Sequence, residues 1–197
     1  MKYPLQLNRK IIALSPQIYV TDAEDKPVLY VKQKLLKLKE HVEVFTDDTR
    51  EKKLCDIKAN KVIDWSAAYN FSTDEGKSFG GVRRKGMRSL WRAHYEIYPD
   101  DATQPAEFTV REESVLVRFL DNCLSGIPLI GGFTGYFTNP SYIITDSNEK
   151  AVMRLKKKPA FLEGKFAIES LAELDSPQQI RILVALLMMT LLEQHRG

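Results

Sequence analysis

A run of apolar residues near the end of the sequence limits the fold more than any other feature. Residues 180–192 read I-R-I-L-V-A-L-L-M-M-T-L-L, and only Arg181 and Thr190 interrupt the run. A helix over this run is roughly 20 Å long, whereas the hydrocarbon core of a bilayer is about 30 Å thick. A helix that is apolar on every side and too short to span a bilayer is expected to be enclosed by protein. We therefore predict a core helix over about residues 177–194.

The residues that flank this run fit the ends of a helix. Ser176-Pro177-Gln178-Gln179 predicts a start with Ser176 as N-cap, Pro177 at the first helical position and Gln179 completing a capping box. His195 and Arg196 suit the negative end of a helix dipole. The apolar run is thus bounded on both sides.

Length and composition indicate a cytoplasmic globular protein that forms a single domain over residues 1–197. Its 197 residues are 44% hydrophobic, which is enough for a sizeable core. The net charge of +3 is far from that of a dedicated nucleic-acid binder, so no nucleic-acid partner is expected. We also expect no signal peptide and no transmembrane segment. Cys55 and Cys123 lie far apart without a C-x-x-C pattern, so reduced thiols are expected.

The rest of the sequence has the pattern of short β-strands. The predicted strands are rich in β-branched and aromatic residues and are bounded by Asp, Asn, Gly or Pro. They cover residues 42–46, 53–58, 90–97, 114–120, 141–145 and 151–156. No helical period of comparable length occurs before residue 170. Many short strands at this spacing favour a barrel or a sandwich.

A faint repeat supports a meandering sheet. Three segments each contain a strand, a turn with a Thr-Asp pair, a second strand and then basic residues. They lie at residues 44–58, 71–85 and 143–158. Thr and Asp suit turns because their side chains bond to nearby backbone. If the sheet closes into a barrel, the apolar helix can fill the lumen with every face buried.

The sequence resembles the LURP-one-related proteins, which share a fold with the tubby C-terminal domain and the phospholipid scramblases. The resemblance extends from about Tyr19 to Leu192. Besides the Thr-Asp hairpins and the terminal helix, it rests on residues 29–38 (L-Y-V-K-Q-K-L-L-K-L), 130–133 (I-G-G-F) and 142–146 (Y-I-I-T-D). It implies a mainly β, tubby C-terminal-like fold: a closed antiparallel β-barrel of about twelve strands around a buried hydrophobic C-terminal α-helix.

The resemblance implies a binding function rather than a defined activity. Tubby-type domains bind phosphoinositide head groups through a basic pocket, and scramblases are linked to lipid movement. This sequence has no counterpart of the scramblases' metal-binding or cysteine-rich stretches, which argues against scrambling. Peripheral association with a membrane surface from the cytoplasm is the expectation.

Two basic clusters that directly follow the repeat hairpins are the candidate binding residues. If they converge, their arginines can bond to a phosphate in a bidentate manner and their lysines can act as point charges. The alternative is that they are solvated strand ends. The candidates are Arg83, Arg84, Lys85 and Arg88 in the first cluster, and Lys156, Lys157 and Lys158 in the second.

No motif predicts a catalytic residue, a metal site or a cofactor. The glycine-rich stretch 126–135 lacks the Gly-Lys-Ser/Thr ending of a phosphate loop. His41, His94 and His195 do not have metal-ligand spacing. Turn bonding explains the clustered carboxylates, which are Asp47, Asp48, Asp74, Glu75 and Asp146.

Three functions stay open at this point. The first is a non-enzymatic binding or scaffold module for an anionic phospholipid or a phosphorylated ligand. The second is a module that docks a protein partner on a loop rim or strand edge. The third is an enzyme whose site is built from loops, which requires titratable groups that converge in a cleft. We rank them in that order.

Overall fold

The computed structural model describes residues 1–10, 17–32, 41–59, 68–85, 94–100, 104–113, 140–160 and 163–194. These residues form strands β1 to β12 and helix α1. In chain order the strands are Leu5–Lys10, Gln17–Thr21, Pro27–Lys32, His41–Phe45, Lys53–Ala59, Ala68–Ser72, Ser78–Arg84, His94–Tyr98, Phe108–Glu112, Ser141–Asp146, Ala151–Lys158 and Glu163–Ser170. Helix α1 is Ser176–Gln194.

The strands form a closed barrel in which each one pairs antiparallel with its neighbours in sequence. The barrel is closed by β1 and β12, where Leu5 is in register with Ile168 and Leu7 with Phe166. The three Thr-Asp segments are the hairpins β4–β5, β6–β7 and β10–β11. The predicted closed antiparallel barrel of about twelve strands is therefore confirmed, and the described residues before 170 contain no helix.

Helix α1 lies in the core of this barrel. Alternating apolar residues of all twelve strands belong to one buried cluster, and α1 contributes to the same cluster. The exposed fraction is at most 1% for the residues predicted to face the barrel wall, which are Leu183, Val184, Leu186, Leu187, Met188 and Leu191. The apolar run is therefore core, as predicted. No helix among the described residues combines the length and apolarity needed to cross a bilayer.

Polar contacts hold α1 near both ends. Near its start, the Arg181 guanidinium is ion-paired with Glu107, in the segment that connects β8 to β9. Near its end, Arg9 Nη1 donates a hydrogen bond to the carbonyl oxygen of Thr190 at 2.9 Å. Arg9 is the next-to-last residue of β1. The helix therefore starts at the end of the barrel where β12 stops and runs to the end where β1 stops.

The predicted helix cap is wrong by one residue. The backbone N–H of Gln178 donates to Asp175 Oδ1 at 2.7 Å, and the backbone N–H of Asp175 donates to Gln178 Oε1 at 3.2 Å. The capping box is thus formed by Asp175 and Gln178, not by Ser176 and Gln179. A carboxylate interacts more favourably than a hydroxyl with the positive end of the helix dipole, which explains the choice.

Several predictions fall partly or wholly outside the described residues. Strand β8 is described from His94 onward, so the first part of predicted strand 90–97 lies outside them. The same holds for predicted strand 114–120, for the glycine-rich stretch 126–135, for Cys123 and for His195.

Candidate functional site

All odd-numbered strands carry a basic side chain in one of their last two positions. Because every strand pairs antiparallel with its neighbours, the odd-numbered strands run in the same direction and end at the same rim of the barrel. We call this end the basic rim. Its terminal cations are Lys10, Lys32, Lys58, Arg84, Arg111 and Lys158, in the order of the strands that carry them.

The opposite end of the barrel, which we call the turn rim, carries the connections from even-numbered to odd-numbered strands. Acidic residues outnumber basic ones in its described turns. Their carboxylates accept backbone hydrogen bonds within the turns. Asp146 Oδ1 accepts from the N–H groups of Asn148 and Lys150, both at 2.9 Å, and Asp47 Oδ1 accepts from Thr49 at 3.0 Å. The predicted turn bonding is thus confirmed for Asp47 and Asp146. Asp74 Oδ1 instead lies 2.7 Å from Lys53 Nζ.

The first predicted cluster lies at the end of β7, next to Glu96 of β8. Arg83 Nη2 lies 3.1 Å from Glu96 Oε2, and Lys85 Nζ lies 2.6 Å from Glu96 Oε1. The Arg83 guanidinium also lies over the Tyr98 ring, 4.9 Å from its centroid. Arg84 is half-buried and in register with Tyr95, whose side chain is in the core. Arg88 lies outside the described residues.

Glu96 compensates the charge of this cluster. Burial favours a higher pKa for the Glu96 carboxyl, but hydrogen bonds from Lys85, Tyr98 and Arg83 outweigh it and lower the pKa to about 2. Burial and the hydrogen bond that Tyr98 donates to this carboxylate raise the pKa of Tyr98 to about 12. The Glu96 carboxylate therefore stays ionised at neutral pH, and any anionic ligand must compete with it for Arg83 and Lys85.

The second predicted cluster lies at the end of β11. Lys156 Nζ is 2.9 Å from Glu169 Oε1 on β12. Lys157 and Lys158 are exposed, and Lys158 Nζ donates to the amide oxygen of Gln6 at 3.3 Å. The partner of Lys158 in this contact is neutral, so the contact leaves its charge uncompensated.

The two clusters share the basic rim but do not touch. Strands β8, β9 and β10 separate β7 from β11. Four strand spacings correspond to about 19 Å along the curved wall. Arg111, which is exposed, lies between them as the next-to-last residue of β9, before Glu112. The structure therefore supports one basic rim with two separate clusters rather than a single pocket that contains both.

Several cations of the basic rim were not predicted as site residues. Lys10 ends β1, and Lys165 of β12 is in register with Lys158. Recognising them requires the assignment of β1 and β12, whose sequences L-Q-L-N-R-K and E-G-K-F-A-I-E-S contain few β-branched residues. Alternation of apolar and polar residues was the only available signal.

Other buried polar groups of the outer wall are held in local networks. Glu113 accepts hydrogen bonds from Ser141 Oγ and Arg154 Nη2, both at 2.8 Å. His41 Nε2 lies 2.7 Å from Asp56 Oδ1.

Burial raises the pKa of the Cys55 thiol, in the core, to about 12. Within the described ranges, no group of three or more His, Cys, Asp or Glu side chains could hold a metal ion.

Similarity to known proteins adds nothing to this geometry, because no protein-family model matches the sequence and no curated protein matches it either. The relation to the LURP-one-related proteins stays a prediction. The candidate site is therefore defined by the charges and contacts of the described residues.

Proposed function

We propose that this protein is a non-enzymatic, LURP-one-related binding module that holds a phosphate-bearing anionic ligand at the basic rim. The observation that carries the proposal is the convergence of the basic ends of six odd-numbered strands on one rim. A single basic strand end is readily explained by solubility. Six basic strand ends on one rim, with acidic turns on the other rim, give the protein an electric dipole along the barrel axis.

This charge separation suits binding at an anionic surface. Cations spread over a rim attract phosphate groups, while the acidic turns at the far end are repelled. The protein would therefore bind an anionic phospholipid membrane with its basic rim facing the head groups. In the cytoplasm, the anionic leaflet adds about 1 kcal/mol of attraction for each lysine or arginine near its surface. The proposed location is accordingly the cytoplasm, at the periphery of a membrane.

Two strongly shifted groups of the described wall, Glu96 and Cys55, are unsuited to general acid–base catalysis. The most strongly shifted carboxyl, Glu96, is ion-paired with Arg83 and Lys85 on the convex outer surface. The thiol of Cys55 is enclosed in the core. General acid–base catalysis needs a titratable group in reach of substrate with a pKa near the working pH. Glu96, with a pKa of about 2, and Cys55, with a pKa of about 12, do not meet this requirement.

The direct test is sedimentation of the protein with phosphatidylcholine vesicles, with and without phosphatidylserine, at low and high salt. Binding to the anionic vesicles that weakens as salt rises is expected, because the rim charges are exposed and screened. Equal binding to the two vesicle types would overturn the proposal. So would a protein that binds neither vesicle type and no soluble phosphate. Salt-resistant retention of a co-purifying protein would instead favour a protein-docking module.

A further inference from the structure

Both histidines in the described part of the chain lie at the basic rim. His41 is the first residue of β4, and His94 is the first residue of β8. Even-numbered strands begin at the rim where odd-numbered strands end, because every strand runs antiparallel to its neighbours. Histidine gains or loses its charge between about pH 5 and pH 8. Protonation of either side chain therefore adds positive charge to this rim.

His94 lies between two exposed cations on the outer wall. It is in register with Arg111 of β9, and its carbonyl oxygen accepts a hydrogen bond from the backbone N–H of Lys85 at 2.9 Å. Lys85 directly follows β7 and continues the register of β7 with β8. Directly opposite residues of neighbouring strands share a face and have Cβ atoms about 5 Å apart. We call Lys85, His94 and Arg111 the histidine row.

The surroundings of His94 keep its imidazole uncharged at neutral pH in the free protein. Burial, and then the positive charges of Arg111 and Lys85, lower the pKa of His94 below its ordinary value of 6.5, against the opposing effect of Glu96 on the same strand. At about pH 7.5 the imidazole is therefore mostly neutral. A proton on His94 would make the row three adjacent cations.

Two carboxylates near the row belong to ion pairs of the outer wall. Glu96 lies 2.6 Å from Lys85 Nζ and 3.1 Å from Arg83 Nη2. Glu113, which directly follows β9, lies 2.8 Å from Arg154 Nη2. Both carboxylates are thus shared with arginine or lysine side chains, and a proton on the histidine between them increases the net positive charge of this part of the rim.

We propose that the histidine row takes up a phosphate group together with a proton, so that binding at the basic rim strengthens as pH falls. This inference rests on the proposed function and adds its regulation. In the free protein a charged His94 is disfavoured by the cation on each side. A phosphate at the row favours the charged imidazole, whose N–H groups can then donate to the phosphate oxygens. Protonation and phosphate binding are therefore coupled, and each event favours the other.

The second histidine of the rim has a carboxylate beside it. His41 Nε2 is 2.7 Å from Oδ1 of Asp56, a buried residue of β5 whose Oδ2 lies 3.2 Å from Lys53 Nζ. Lys58 is in register with His41 on the same face. A proton on His41 completes an ion pair within the wall, whereas a proton on His94 enlarges a row of cations. We therefore assign the pH response to His94.

The test compares the wild-type protein with His94→Gln, which fixes the position uncharged, and with His94→Lys, which fixes it charged. Binding to phosphatidylglycerol vesicles is measured by sedimentation at about pH 7.5 and about pH 5, because the lipid phosphodiester stays ionised over this range while histidine titrates. We expect wild-type binding to be about fivefold tighter at the lower pH, as one added cation predicts. His94→Gln should bind weakly and His94→Lys tightly, each changing by less than about twofold between the two conditions.

Proton uptake gives a second readout that a purely structural histidine would not affect. In calorimetry at about pH 6.5, in two buffers that differ in ionisation enthalpy, the wild-type protein should take up protons as it binds the vesicles. His94→Gln should take up markedly fewer. Soluble glycerophosphoglycerol, the same head group without lipid, distinguishes the source of the ligand. A response to both probes identifies the phosphate group itself, and a response to vesicles alone identifies the membrane surface.

The outcomes separate this inference from the proposed function. Wild-type binding that is equally tight at both pH values would overturn the inference and leave the proposed function standing. A wild-type protein that binds neither phosphatidylglycerol vesicles nor glycerophosphoglycerol at either pH would overturn both. A pH response that persists in His94→Gln, or that disappears in His41→Gln alone, would contradict the assignment to the histidine row.

Discussion

The guanidinium of Arg181 on α1 is ion-paired with the carboxylate of Glu107 in the connection from β8 to β9. Arg181 Nε also donates to the carbonyl oxygen of Phe79 at 2.8 Å, and Gln178 Nε2 donates to Glu107 Oε1 at 2.8 Å. The only charged residue in the apolar run thus lies where the helix enters the barrel and is satisfied by the wall. Charge in the core helix is tolerated there because every contact replaces a hydrogen bond to water.

The Arg181→Ala variant should lose about 3 kcal/mol of unfolding free energy, because the Phe79 carbonyl loses its Arg181 donor and Glu107 keeps only the hydrogen bond from Gln178. Urea unfolding measures this loss. In a double-mutant cycle with Glu107→Gln, the two changes should be clearly non-additive. Additive losses would mean that the pair does not couple α1 to the wall.

Close packing of α1 against β7 predicts a strong effect at Gly80. A Cβ at Gly80 would lie 2.8 Å from the Tyr98 carbonyl oxygen and 2.9 Å from Arg181 Cγ and Cδ, and its φ is +151°. Gly80→Ala should therefore cost at least about 2 kcal/mol, as overpacking does. Gly76→Ala is the control, because its φ is +79° but no atom lies within 4 Å, so only about 1 kcal/mol of backbone strain is expected. If Gly80→Ala and Gly76→Ala lowered the melting temperature equally, the close packing at Gly80 would be contradicted.

The buried position of Leu187 predicts that Leu187→Asp unfolds the whole domain. The residue is 0% exposed, and an unpaired carboxylate there costs more than a domain's typical stability of about 5–15 kcal/mol. Leu187→Met, which conserves volume and polarity, should remain folded. Circular dichroism distinguishes the two. A folded Leu187→Asp protein that had merely lost membrane association would show that the helix is not the barrel core.

The low pKa of Glu96 predicts a defined pH dependence of stability. The folded-state pKa is about 2, below the unfolded value of about 4.5, so the unfolded chain takes up the proton first as pH falls. The stabilisation is complete above about pH 4.5 and is lost as pH falls towards 2. After allowance for solvent screening it amounts to about 1 kcal/mol. In urea unfolding, the advantage of the wild-type protein over Glu96→Gln should shrink across this window; an advantage that is constant with pH would refute the assignment.

Much of the fold follows from sequence pattern because it depends on two strong signals. The apolar run of α1 predicted a helix buried on every side. The Thr-Asp turns predicted three hairpins, which the structure confirms. Strands β1, β2, β9 and β12 were not predicted; Leu5–Lys10 and Phe108–Glu112, for example, are short and end in charge. Pairing between β1 and β12 closes the barrel and stabilises both strands, and this pairing is non-local in sequence.

The candidate site was less predictable because it depends on register. Sequence placed Lys158 in a basic cluster but gave no reason to pair it with Lys165, which requires the alignment of β11 with β12. It also could not show that Glu96 compensates Arg83 and Lys85, because that contact crosses from β7 to β8. Local composition locates charge, whereas strand pairing decides which charges meet.

The central claim is that binding depends on charge at the basic rim and not on net charge. Lys32→Glu/Lys58→Glu changes exposed lysines of the basic rim, and Lys26→Glu/Lys77→Glu makes the same charge change with exposed lysines of the turn rim. The measurement is the dissociation constant of each protein for phosphatidylserine-containing vesicles. We predict at least about tenfold weaker binding for the basic-rim variant and a change within about threefold for the turn-rim variant. Equal weakening of both, or no weakening of the basic-rim variant, would contradict the account.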